Sequence, residues 1–119
     1  MNWAFAMPSD YNAGTVTAVF YWMSPSSSTN SVVWGIQGVS FGDNTVLDTA
    51  FGTAVTVTDA NNGADDVNIS AATGAMTIAN TPAASDFVVF RVYRDGAAGG
   101  DTLAADAELL SVRITYTRA

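Results

Sequence analysis

The 119-residue chain contains no cysteine, no histidine and no lysine. Histidine is the usual general base, cysteine the strongest free nucleophile, and lysine the Schiff-base former and point-charge phosphate binder. Their joint absence removes the key residue of most enzyme mechanisms. It also removes disulfides, thiolate metal sites and imidazole ligands, so no transition metal and no cofactor are expected. Serine and threonine are abundant, but nothing stands ready to activate them, and no carboxylate pair is marked for glycoside hydrolysis. The chain is expected not to be an enzyme.

Positive charge is scarce as well: four arginines stand against eleven acids, a net charge of -7. Such a balance repels phosphate backbones and anionic headgroups, so neither nucleic acid nor a membrane surface is an expected partner. The longest purely apolar run, Ala18 to Met23, falls far short of the ~20 residues of a membrane span. Residues Met1 to Gly14 carry neither a basic region nor a sustained apolar stretch of the kind that directs secretion. The length suits one domain, residues 1–119, able to bury roughly two-thirds of the surface that its unfolded chain exposes.

What the chain does have is period-two alternation between clusters of Gly, Asn, Asp, Ser and Pro, the signature of short strands. Strands are predicted over Asn2–Met7, Thr15–Ser24, Val32–Phe41, Ala54–Thr58, Val67–Ser70, Ala75–Ala79, Asp86–Arg94 and Glu108–Thr117. Val16, Ala18, Phe20 and Trp22 form one apolar face, as do Val88, Phe90 and Val92, and again Leu110, Val112, Ile114 and Tyr116. Gly35 and Gly38 suggest a bulge or a close backbone approach. Val46 to Phe51 reads as one helical turn or an irregular crossover. About seven or eight strands at this spacing predict an all-β antiparallel sandwich, jelly-roll-like, with a small barrel as the other closure. The expected core is Phe20, Trp22, Trp34, Val88, Phe90, Val92, Val112 and Ile114.

Candidate binding residues stand out by position. All four basic residues, Arg91, Arg94, Arg113 and Arg118, fall in the last part of the chain. Planar and weakly hydrated, they suit pairing with carboxylates of a neighbouring subunit; the plainer reading is pairing within the chain, to Asp86 or Glu108. Asp95 and Asp101, with Asp106, offer oxygens to a hard cation such as calcium but lack an EF-hand spacing, and Asp59, Asp65 and Asp66 do likewise. A connecting loop is the plainer reading of both. Trp3, Trp22 and Trp34 could stack on a sugar, although aromatics at strand spacing more commonly fill a core; Tyr11 is the most loop-like aromatic. Asn68-Ile69-Ser70 matches a glycosylation sequon inside a predicted strand.

Phe5-Ala6-Met7-Pro8-Ser9-Asp10-Tyr11, Val33-Trp34-Gly35, Phe90-Arg91-Val92-Tyr93-Arg94-Asp95, Asp101-Thr102-Leu103 and Asp106-Ala107-Glu108-Leu109-Leu110 together resemble the β-sandwich domains of tailed-phage structural proteins. The resemblance spans nearly the whole chain and brings no catalytic residues. It implies a structural protein of the virion. Relatives of this kind often follow a fibre-like segment, whereas this sandwich begins at residue 1, which favours a capsid decoration or cement protein. Such a protein binds the major capsid protein on the outer surface of the shell and is commonly a homotrimer. The alternative that the resemblance implies is a receptor- or glycan-binding domain of a fibre.

Overall fold

Val16, Ala18, Phe20 and Trp22 are all buried, and so are Val32, Trp34 and Ile36 and the trio Val88, Phe90 and Val92. Each set lies on alternate residues of one strand, so each strand turns one apolar face inward. The computed structural model describes residues 1–118 and contains strands and loops, with no helix among them. The strands are β1 (Asn2–Ala6), β2 (Tyr11–Met23), β3 (Ser31–Phe41), β4 (Val55–Ala60), β5 (Asn68–Ile69), β6 (Ile78–Ala79), β7 (Phe87–Arg94) and β8 (Glu108–Arg118).

They form two sheets. One has the order β1-β7-β3-β4, with β6 on the same edge of β3 as β4, and the other has the order β5-β2-β8. The late strand β7 lies between β1 and β3. Pairing is antiparallel throughout except for β6, which runs parallel to β3 at Gly38 and Val39. The sheets pack face to face as a sandwich, and aromatic rings tie them: Trp34 of β3 stacks on Phe20 of β2 at 6.1 Å between centroids and meets Trp22 edge-on at 6.1 Å. The Trp22 indole also reaches across, its Nε1 donating to Asp59 Oδ2 of β4 at 2.8 Å. Trp34 Nε1 is buried without a partner, a cost that the surrounding ring contacts must offset.

The edge of β2 is closed by an unusual device. Ser70 Oγ accepts from the Phe20 N–H at 2.9 Å while Ser70 N–H donates to the Phe20 carbonyl at 3.0 Å. Thr73 repeats this around Ala18, and Met76 N–H donates to the Val16 carbonyl. Hydroxyls thus stand in for carbonyls along the segment 70–76, which explains why β5 is only two residues long, and β6, also two residues, begins only after the chain has left β2 at Met76 to join β3.

Two expectations need correction, and two alternatives are resolved. Val112 and Ile114 are only partly buried, because β8 is an edge strand and no strand among the described residues pairs with its open side. Leu110 does not share their face. The β2–β8 register shifts between Tyr21 and Trp22, which puts Leu109 against the core and leaves Leu110, the extra residue, 52% exposed. At Gly35 and Gly38 the β3–β7 register runs without a break, so they mark close approach rather than a bulge: a Cβ on Gly38 would sit 2.8 Å from Phe90 Cε1, and one on Gly35 would strike the Tyr93 ring. Residues 46–51 form an irregular crossover without a helical turn.

Candidate functional site

The four arginines do not come together. Arg94 turns inward at the end of β7, where its Nε donates to Asp101 Oδ2 at 3.0 Å and its Nη2 to Asp101 Oδ1 at 2.7 Å. Nη2 also donates to the Leu103 carbonyl and Nη1 to the Ala105 carbonyl, both at 2.6 Å. Arg94, expected at a contact between subunits, is therefore occupied in fastening the loop 95–107 to the sandwich. Arg91 lies on the outer face of the β7 sheet, beside Gln37 Oε1 at 3.4 Å and 5.7 Å from the centre of the Tyr93 ring. Arg113, opposite Val19, is exposed on the outer face of the other sheet. Arg118 makes a long, exposed contact of 3.7 Å with Asp10.

These placements fix the electrostatics. The Arg94 fork, helped by the Val33 N–H at 3.0 Å, holds the Asp101 carboxyl below its usual range, and Asp101 in turn raises the arginine. The Tyr116 hydroxyl donates to Asp10 Oδ1 at 2.8 Å, which raises its pKa, while burial raises that of Tyr11.

The acidic loops are differently engaged than a cation site requires. Asp101 is fully occupied by Arg94 and Val33, and Asp59 receives the Trp22 indole. Among the described residues no group of three or more acids is placed to hold a metal ion. Asn68 is buried, with its Nδ2 donating to Asn61 Oδ1 and its Oδ1 accepting from Asn62 N–H, so the sequon offers no free amide. Trp22, Trp34 and Tyr11 are buried and Trp3 packs against the core, which leaves no tryptophan platform for a sugar.

A different surface emerges on the outer face of the β7 sheet. The crossover after β3 folds back over Val39, Phe41, Phe87 and Val89 and leaves an open pocket of about 240 Å³, completed by Leu47, Thr49 and Phe51. Phe41 and Phe87 meet at 5.9 Å, yet Phe87 is 45% exposed and Leu47 68% exposed. The neighbouring Val46 is exposed too. Thr49 supplies the sole polar side chain of the lining, so the pocket suits an apolar side chain and has little with which to bind hydroxyls.

Sequence reasoning did not single out this pocket, although a signal was present: β7 is apolar on both parities, with Phe87 and Val89 opposite Val88 and Phe90. A strand apolar on both faces must be covered on both or expose one of them. Comparison with family models, with curated proteins and with solved structures gave no match.

Proposed function

We propose that the chain is a non-enzymatic structural protein of a tailed-phage virion, a capsid decoration or cement protein that binds the major capsid protein on the outer surface of the shell and associates with its own copies. The observation that carries this reading is the apolar pocket rimmed by Phe87 and Leu47, none of whose lining residues is titratable. Exposed apolar side chains around a shallow cavity are the means by which proteins hold proteins. The resemblance to phage structural domains supplies the setting.

The fibre alternative would need an aromatic platform flanked by amides or carboxylates to take a glycan. The pocket has phenylalanines but no such flank. The experiment is co-sedimentation of the purified chain with particles that lack it. Saturable binding to the shell supports the decoration role, and binding to tails or to host glycans in its place rejects it.

A further inference from the structure

The sheet β5-β2-β8 has two edges, and the chain treats them differently. The β2 edge is covered by Ser70, Thr73 and Met76, as described above. The β8 edge has no strand beside it among the described residues. Because Phe20, Ala18 and Val16 direct their backbone groups toward the segment 70–76, the alternate residues Tyr21, Val19 and Thr17 bond to β8, at Ser111, Arg113 and Thr115. It follows that the N–H and C=O groups of Val112, Ile114 and Tyr116 point out of the open edge, and none of them has a partner among the described residues.

The side chains of the same three residues face inward and are only partly buried. Since β4 touches β5, the opposite ends of the two sheets, β1 and β8, share the other flank. Trp3 and Phe5 of β1 are likewise only partly buried there. The core is thus ajar along one side, beside a row of unpaired backbone groups. Edge strands are ordinarily blunted by proline, charged side chains, an inward charge or a bulge. From Ser111 to Tyr116 β8 has no proline, no inward charge and no bulge, and its one charged residue, Arg113, points outward; the register shifts against β2 lie beyond that stretch, at Leu110 and between Tyr116 and Arg118.

We infer that β8 is a self-association edge, pairing antiparallel with β8 of a second copy about a two-fold axis through Ile114. Charge argues for a second copy. The chain is strongly acidic, yet Leu109 to Arg118 contains no acid, and the acid that touches it, Asp10, is engaged by Tyr116 and Arg118, so pairing along this strip sets no carboxylate against another. The register follows from the side chains. Centring on Ile114 sets Ile114 against Ile114 of the second copy and Val112 against its Tyr116, all facing the open core. On the outer face it sets Arg113 against Thr115. Centring on Arg113 would oppose two guanidinium groups and is disfavoured. Each of the pairs at 112, 114 and 116 exchanges two hydrogen bonds, and the two three-stranded sheets become one of six strands. This pairing does not depend on a place on a virion, and it is a different assembly from the trimer that the phage resemblance implies.

The absence of native cysteine makes the test clean. Arg113→Cys and Thr115→Cys are exposed substitutions at positions that face each other as a non-hydrogen-bonded pair, the closer of the two kinds in an antiparallel ladder and within reach of a disulfide. Mixed and oxidised, the two variants should give a disulfide-linked dimer, and each alone should give little. Sedimentation of the unmodified chain should show its mass double from 12.3 kDa as concentration rises. Amide exchange at Val112, Ile114 and Tyr116 should slow over the same range, whereas Ser111, Arg113 and Thr115 stay protected throughout. A monomer at high concentration, a trimer, or cross-linking of Arg113→Cys alone that equals the mixture would overturn the proposal.

Discussion

Arg94 meets Asp101 through two parallel hydrogen bonds, Nε to Oδ2 and Nη2 to Oδ1, with the carboxylate side chain 3% exposed and the guanidinium 25% exposed. Breaking a buried pair from one side leaves an uncompensated charge and costs about 3–5 kcal/mol, and the partial exposure of Arg94 sets the lower end, about 3 kcal/mol, for Arg94→Ala. Asp101 has a folded pKa below its ordinary value of 3.8, so its contribution is fully present above that value and is lost as pH falls through the lower, folded one. Urea titrations at neutral pH and at acidic pH should therefore show a loss of stability in acid that Asp101→Asn largely abolishes. An unchanged acid slope in that variant would remove the pair from the account.

Phe90 and Val112 both sit on apolar faces of long strands, yet they should respond differently to truncation. Phe90 is 1% exposed, touches Phe5 at 5.2 Å and closes over Gly38, so Phe90→Ala should cost about 3–5 kcal/mol. Val112 is partly buried at an open edge, and Val112→Ala should cost about 1 kcal/mol in dilute, monomeric protein. Chemical denaturation of the two variants side by side decides it.

That contrast shows how far the sequence could be read. Alternation reports which residues share a face, and Val16 to Trp22 and Val88 to Val92 were legible for that reason. It does not report whether a strand ends up central or at an edge, so Ile114 and Val92 look alike in the sequence and differ in the fold. The bulge at Leu110 was half-visible, since Leu109-Leu110 breaks the period, but only the partner strand decides which leucine turns inward. Arg94 and Asp101 were both noticed, the one with Asp86 or Glu108 as its plainer intrachain partner and the other as part of a connecting loop, but not as partners of each other. What joins them is the path of the loop 95–101, whose turns at Asp95–Ala98 and Ala98–Asp101 bring the carboxylate back to the strand end. The pocket depends on the irregular crossover folding over Phe41 and Phe87, which no periodicity encodes.

Ser70 should matter more than its size suggests. Its hydroxyl accepts from the buried Phe20 N–H and donates to the Ala71 carbonyl, and alanine would leave the N–H without a partner inside the sandwich. An unsatisfied buried donor costs about 1–3 kcal/mol, so Ser70→Ala should fall in that range and Thr73→Ala, at the Ala18 N–H, should match it. Amide exchange at Phe20 and Ala18 should accelerate in the respective variants. Protection unchanged at both amides would mean that the hydroxyls are not the acceptors that close the β2 edge.

Gly38→Ala tests close packing without touching polarity. The added methyl would lie 2.8 Å from Phe90 Cε1 and 3.3 Å from Ile78 Cγ1, and Phe90 is fixed in the core with little room to retreat. Overpacking of this kind costs about 1–3 kcal/mol. Thermal melts should show a clear drop, and a variant as stable as the parent would mean that the Phe90 ring can move aside.

The rim of the outer pocket separates binding from stability. Leu47 is largely solvent-exposed, so Leu47→Ser removes little buried surface and should change stability by less than about 0.5 kcal/mol. Phe87 is a little under half exposed and packed on Phe41, so Phe87→Ser should cost about 1–2 kcal/mol and still fold. If the pocket seats an apolar side chain of the shell, the same substitutions should weaken co-sedimentation with particles by about tenfold or more, since an anchor residue in an interface contributes upward of 1 kcal/mol. Arg91 lies on the same face beyond Val89, and Arg91→Ala should weaken binding less, as rim charges act mainly on association rate and salt dependence. Folded Phe87→Ser and Leu47→Ser variants that bind particles as tightly as the parent would detach the pocket from the shell and move the contact elsewhere on the sandwich.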